Sequence, residues 1–345
     1  MTPLRTPDAA TEHRLEELRS EALRTGRVDA TGIRPSGSPL PQATPENGYY
    51  GLPLLKEPTW TWEIPVYFFV GGAAGAAAVL GAAAQLTGTD PLLVRDARRI
   101  AAAGAVISAP LLIADLGRRD RFLNMLRVLK LQSPMSVGAW TLTVFGAASS
   151  AAVLADFLAW RTRLPARLIG DMAGVAAAAS GLGMATYTGV LVGATVIPAW
   201  ARHAAMLPIH FAASATGSAA ALLELLGHQE PALNALALAA AGVETATGFY
   251  IESDRGIASE PLRRGSSGWT MRVAGILSGP LPMALRLFGR GSRRSRRAAA
   301  VSTLFGSIIT RLAWVEAGKA SARDSRTSLE LAEPQQRSDA PLDRL

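Results

Sequence analysis

Three stretches of this chain, Ile64 to Thr89, Leu131 to Ala155 and Met172 to Ala201, contain no Asp, Glu, Lys or Arg. A hydrocarbon layer of about 30 Å is crossed by roughly 20 residues of α-helix, so each run is long enough to span it. A soluble core helix needs apolar residues along one stripe only. Within a bilayer the backbone must satisfy its own hydrogen bonds, and a continuous apolar run does so as a helix. The chain is therefore expected to be an all-α integral membrane protein. Charged residues make up 18% of it, against about 25% in soluble domains. The net charge of +8 does not mark a nucleic-acid binder. The arginines collect a few residues beyond apolar runs, as they do in membrane proteins, and form no continuous basic face. The expected surroundings are lipid bilayer, with no nucleic acid among the partners.

The apolar pattern predicts about eight spans, at 64–86, 98–116, 136–159, 168–197, 204–226, 232–251, 269–289 and 297–318. They divide the chain into a polar N-terminal tail (1–60), a membrane domain (61–320) and a polar C-terminal tail (321–345). Thr11 is a candidate cap for a short helix running to about Arg24, followed by a Pro/Gly-rich linker. The first apolar run begins near residue 64, so no signal peptide is expected. Eight spans put both termini on one side of the cytoplasmic membrane. Arg95, Arg98 and Arg99, then Arg161, Arg163 and Arg167, then Arg290, Arg293, Arg294, Arg296 and Arg297 fall in the loops of the other side. These loops are short, which favours extracytoplasmic termini. Gly71, Gly72, Gly75, Gly181 and Gly183 provide the close backbone approach on which helix packing in lipid depends.

An ionisable group within a span costs about 2.5–3.5 kcal/mol on insertion scales, so each is a functional candidate. The set is Glu63, Asp115, Asp171, His210, Glu224, Glu244, Arg311 and Glu316, with Tyr67 and Tyr187 as polar-tipped aromatics. Each has a plainer reading beside the functional one. Asp115 can pair with Arg118 or Arg119, and Arg311 can offset Glu316. Glu224 and Glu244 can bond to neighbouring hydroxyls, and Glu63 can anchor at the interface. His210 can be a satisfied bundle histidine, Tyr187 a packing aromatic, and Trp60 and Trp62 members of an interfacial belt. The chain has no cysteine, which excludes thiolate-held iron–sulfur clusters. Of His13, His203, His210 and His228, only His210 lies clearly inside a span, which argues against a bis-histidine haem. No metal ligand set is expected.

The segment from Ala114 to Trp140 reads ADLGRRDRFLNMLRVLKLQSPMSVGAW. Phe122, Met125, Leu126 and Leu129 recur at helical spacing with Arg127 and Lys130 interleaved, which predicts an amphipathic helix in the interface between the second and third spans. This segment resembles the DLGRP-RFxNxL…SPMSxGxW signature of the NrfD/polysulfide reductase membrane subunit (PsrC-like) family, with Arg119 where that family usually has proline. Gly48-Tyr49-Tyr50-Gly51, the glycines from Gly71 to Gly75, Tyr187 to Leu191 with Pro198-Ala199-Trp200, and Leu207-Pro208 with Phe211 and Ser214 also resemble it. The likeness runs over roughly residues 48–320.

The resemblance implies a quinone-interacting anchor that exchanges electrons and protons between membrane quinone and a docked iron–sulfur subunit. That subunit in turn serves a molybdopterin catalytic subunit of a respiratory oxidoreductase complex. Menaquinone or ubiquinone would be a diffusible substrate, with no haem or iron–sulfur cluster in this chain. The chain would not be catalytic by itself. Tyr187 would touch quinone, as the matching tyrosine does in relatives, and Asp115 would move a proton. Glu63 and Tyr67 would line the quinone site with them. Arg118, Arg119, Arg121, Asn124, Arg127 and Lys130 would dock the iron–sulfur subunit, and His210, Glu244 and Arg311 would carry protons. Two other classes fit the buried charges: a secondary transporter, and a proton-translocating membrane subunit without its own quinone site.

Overall fold

A computed structural model describes residues 9–24, 55–116, 118–161, 166–289 and 292–328. The Gly48–Gly51 motif lies outside them, as do the side chains of Arg121 and Arg161. The chain divides into two units, residues 1–52 and 53–345. In the first, one helix is described, α1 (Ala9–Arg24). It has already begun at Ala9, so Thr11 is internal rather than its cap.

The second unit contains no strand among the described residues. Its helices are α2 (Glu63–Leu86), α3 (Pro91–Ala114), α4 (Pro134–Arg161), α5 (Ala166–Gly193), α6 (Pro198–Arg202), α7 (Leu207–Leu225), α8 (Pro231–Ser253), α9 (Glu260–Arg263), α10 (Gly265–Ser278), α11 (Pro280–Phe288) and α12 (Arg293–Arg323). Six of these, α2, α3, α4, α5, α8 and α12, are long and apolar enough to cross a membrane. The run expected at 204–226 is the shorter α7, whose hydropathy is diluted by Ser214, Thr216 and Ser218. The run expected at 269–289 is two helices. Pro280 has no N–H for the preceding turn, and the chain bends at Gly279 before α11 begins. The expected interfacial α-helix is instead a 3₁₀ helix over Arg119–Leu126. Phe122, Met125 and Leu126 are half-buried, whereas Leu129 lies beyond it and is exposed.

The turn chemistry explains several boundaries. Asp90 caps α3 by accepting from Leu92 N at 2.9 Å, with Pro91 at the first helical position. α3 therefore starts well before the expected residue 98, and Arg95, Arg98 and Arg99 lie in the helix rather than a loop. α2 and α7 each end in a glycine with positive φ, Gly88 at 66° and Gly227 at 111°, where a side chain would be strained.

α2 lies at the centre of the unit, packed against α3, α5, α7 and α12. Its contact with α5 depends on two facing glycines. A Cβ on Gly75 would come within 2.5 Å of the Gly181 carbonyl oxygen, and one on Gly181 within 2.6 Å of the Gly75 carbonyl oxygen. Gly71 and Gly183 also meet a neighbouring helix closely, at Met184 and Thr141. One end of the unit is tied by Glu57, which accepts from Arg323 at 2.6 Å, and by Asp115, which accepts from Thr61. The start of α2 and the ends of α3 and α12 therefore share that end, here called the near end.

The far end is held by two charge clusters. Buried Arg98 donates to Asp156 at 2.5 Å, Asp171 at 2.7 Å and Gln85 at 2.8 Å, joining α2, α3, α4 and α5. Glu224 of α7 takes both arms of Arg286 from α11, at 2.8 and 2.7 Å, and Arg296 from α12 at 2.8 Å. Asn234 of α8 accepts from Arg286 at 3.0 Å. The sequence pattern puts Arg98 and Arg296 among loop charges and Glu224 among hydroxyls. In the structure they are ion pairs, because a charge withdrawn from water needs a charged partner.

Gly75→Ala should destabilise the protein by about 1–3 kcal/mol, as overpacking does. Gly242, whose added Cβ would meet nothing within 4 Å, should accept alanine with no loss. Thermal unfolding of both variants in detergent checks this; equal melting temperatures would show that the α2–α5 approach is not limiting.

Candidate functional site

Glu63 opens α2 and Asp115 closes α3. At the near end they face each other across Thr61. The Thr61 backbone N–H and hydroxyl both approach Asp115 Oδ1, at 3.4 and 3.3 Å, and the hydroxyl also contacts Glu63. Asp115 is thus held by Thr61, not by Arg118 or Arg119 as one reading of the sequence had it. These residues line an open cavity of about 730 Å³, with Arg118 and Arg119 on its other wall. Two carboxylates and two guanidiniums therefore surround one space, which can hold a polar head group and exchange protons with it. The family signature supplies Asp115 and the arginines, and the start of the first apolar run supplies Glu63.

Tyr67 lies one turn into α2 from Glu63 on the same face, and is buried. Tyr187 of α5 is also nearly buried, at 8% exposure. Its ring and hydroxyl lie where a Cβ on Gly138 would be. Gly138 is the glycine of the SPMSVGAW segment, at the start of α4. That position is glycine because the tyrosine ring occupies the space of a side chain. Met184, one turn before Tyr187, fills the gap left by Gly71 and Gly75. Tyr67 and Tyr187 thus sit in the wall between α2, α4 and α5, deeper than the Glu63–Asp115 cavity.

The docking candidates Arg118, Arg119, Asn124, Arg127 and Lys130 are exposed, and the first two line that cavity. Arg119 donates to the Ala114 carbonyl at 3.3 Å. The loop is fastened to α4 by Ser136, which accepts from Lys130 N at 3.1 Å and donates to the Val128 carbonyl at 3.4 Å.

His210, Glu244 and Arg311 come together from α7, α8 and α12. Thr247 donates its hydroxyl proton to the Val243 carbonyl at 2.8 Å. His210 Nδ1 lies 2.8 Å from the Thr247 hydroxyl oxygen, a contact in which the donor follows from the tautomer of the ring. Arg311 donates to the Phe211 carbonyl at 3.0 Å and lies 3.9 Å over its ring. Its Nε and Nη1, like Glu244 Oε1, have no hydrogen-bond partner. Glu316 pairs with Lys319 at 3.2 Å, so the Arg311–Glu316 pairing weighed from sequence does not form.

An aromatic chain joins the two groups. Tyr67 contacts Phe68 at a centroid distance of 5.8 Å, and Phe68 contacts Phe211 at 6.5 Å. Trp60 stacks on Trp200 at 5.2 Å, and Trp200 Nε1 donates to the Trp314 carbonyl at 2.8 Å. Trp60, read from sequence as an interfacial belt residue, is thus part of the packing. Trp62 is 62% exposed. Nearby, His203 Nε2 meets Ser259 at 2.9 Å, and the Arg202 guanidinium holds the Asp254 carboxyl well below the usual carboxylate range. Away from this region, ligand atoms of Asp90, His228 and Glu230 lie within 4.8 Å of one another and could hold a metal ion. His228 is already bound to Asp96 at 3.1 Å.

A family model described as polysulphide reductase, NrfD, matches residues 54–228, just over half of the 345 residues. No curated protein matches the chain. The matched region takes in Glu63, Tyr67, Asp115, the basic loop, Gly138, Tyr187 and His210; Glu244 and Arg311 lie beyond it, so the family match is shorter than the likeness read from sequence. A membrane protein built of apolar helices, carrying this loop and this match, the chain belongs to the NrfD family of polysulphide reductase membrane proteins.

Proposed function

We propose that this chain is the membrane anchor subunit of a respiratory oxidoreductase complex, exchanging electrons and protons with menaquinone or ubiquinone. The observation that carries the reading is the convergence of Glu63, Asp115, Arg118 and Arg119 around one open cavity at the near end. The exposed basic loop stands beside it. A quinone head group needs hydrogen bonds at its two carbonyl oxygens and acceptors for two protons per two electrons. In this reading the ring reaches past the cavity to Tyr187, whose hydroxyl bonds one ring oxygen. Asp115 takes or gives a proton, and Glu63 and Tyr67 line the approach. Electrons pass to an iron–sulfur subunit docked through Arg118, Arg119, Arg121, Asn124, Arg127 and Lys130, and from it to a molybdopterin subunit. Charge-assisted pairs with carboxylates would hold that interface. His210, Glu244 and Arg311 form the proton route in the second half of the bundle.

The same reading makes α7 and the broken pair α10–α11 complete eight crossings. The Arg119–Lys130 segment then lies in the interface, and the termini face away from the cytoplasm. The chain has no native cysteine, so single cysteines report topology directly. Ala205→Cys and Leu226→Cys should label from opposite sides, as should Ser266→Cys and Arg293→Cys. Same-side labelling of either pair removes that crossing.

Tyr187→Phe removes one hydroxyl and leaves the ring on Gly138. Quinol turnover should fall on the order of 10²-fold, the cost of one hydrogen bond to a reacting oxygen. Dye-linked activity of the complex should be unchanged. Wild-type quinol turnover would make Tyr187 a packing residue and misplace the site.

A further inference from the structure

A second cavity, of about 310 Å³, opens between α8, α10, α11 and α12, with His210 of α7 in its lining. It lies outside residues 54–228, apart from His210, and shares no lining residue with the Glu63–Asp115 cavity. Its size is at the lower limit of sites that hold small organic molecules, about 300 Å³.

Two features define what it can hold. The first is its mouth. Phe249 and Ile276 line it and are 75% and 56% exposed. Phe249 lies on α8, which is long and apolar enough to cross a membrane, so exposed apolar side chains at this mouth suit a hydrocarbon surround. Glu252 and Arg272, also in the lining, pair at 2.6 Å at the near-end side of the mouth. A mouth of this kind suits an occupant that arrives from the lipid phase and carries a polar part to meet the charged rim.

The second is its polar inventory. The lining is mostly apolar, yet it includes Glu244, 3% exposed, whose Oε1 has no hydrogen-bond partner. It also includes Trp314, 1% exposed, whose Nε1–H has none either. A buried carboxylate oxygen and a buried indole N–H left unpaired each cost free energy. A ligand that removes both costs must donate to one and accept from the other. An acyl chain does neither. A hydroxylated ring does both.

We propose that this cavity is a second, lipid-facing site that takes the ring of a membrane-dissolved quinol. Glu244 accepts from a ring hydroxyl, and the Trp314 indole N–H donates to a ring oxygen. The quinone reading above supplies the identity of the ring; the site itself stands on the cavity and its two unpaired groups.

Two lining glycines make the test clean. A Cβ on Gly248 or Gly275 would meet nothing within 4 Å, so a side chain there can enter the cavity without striking backbone. The purified protein, with any subunits it retains, is reconstituted in lipid nanodiscs and photolabelled with a short-chain azido-quinol, and labelled peptides are mapped by mass spectrometry. Label is expected on peptides of α8 and α10. It should fall at least tenfold in Gly275→Leu, and at least severalfold in Glu244→Gln, while labelling at α2 and α3 is unchanged. Gly248→Leu replaces Gly275→Leu if that variant has lost its wild-type melting temperature. Labelling of α8 and α10 that ignores the filled cavity overturns the proposal, as does labelling that is absent there or competed equally by added phospholipid. Loss of label at α2 and α3 alone would instead overturn the near-end site and leave this one standing.

Discussion

In water, helices associate because burial removes apolar surface from solvent. In lipid that drive is absent, and packing distance decides. The approach of α2 to α5 at Gly75 and Gly181 is set by backbone meeting backbone, with no room for a methyl group on either side. Everything at the near end follows from it. α2 carries Glu63 and Tyr67, and α5 carries Met184 and Tyr187. Because the two helices touch, Met184 can fill the space over Gly71 and Gly75, and Tyr187 can lie across Gly138 of α4. A larger residue at either glycine would push apart the two helices that carry Tyr67 and Tyr187.

The two ends of the bundle use charge differently. At the far end, charges are consumed by structure. Arg98 is shared between Asp156 and Asp171, and Glu224 between Arg286 and Arg296, and each cluster ties several helices. The Glu224–Arg286 pair is fully buried, and removing one partner there strands the other, a loss of about 3–5 kcal/mol. At the near end, Asp115 and Glu63 hold only a threonine, and they face an open cavity. In the second half, Glu244 and Arg311 are buried without forming an ion pair. Glu244 Oε1 and Arg311 Nε and Nη1 keep no hydrogen-bond partner, and such atoms are where a ligand or a proton has something to do.

Much of this was legible in the sequence, and the parts that were not have identifiable reasons. Uncharged runs located the long helices because a bilayer permits little else. The ADLG…SPMS segment located the near-end loop and the family, and Gly75 and Gly181 were recognisable as packing positions. The role of Gly138 was not, because the ring that fills its space comes from residue 187 on another helix. Arg98 was misread as a loop charge because its partners, Asp156 and Asp171, come from two other helices. Trp60 looks like a belt residue from its place at the head of a span, and only tertiary structure brings it onto Trp200. The Gly279-Pro280 pair carried the break in the seventh run, but mean hydropathy across the run concealed it. The convergence of Glu63 and Asp115 on Thr61 depends on α2 starting and α3 finishing at the same end, which spacing alone does not fix.

In the proposed function the near end passes electrons between quinone and a docked redox partner, since the chain holds no cysteine with which to bind a cluster of its own. The most direct measurement is isolation of the chain from its own membrane in mild detergent, with iron, molybdenum and quinone quantified per chain. The account predicts that iron and molybdenum co-elute with it at constant ratio, and that charge reversal at Arg118 and Arg127 strips both metals while quinone stays. A monodisperse chain that elutes alone, with neither metal at any salt concentration, would contradict the account and favour a transporter.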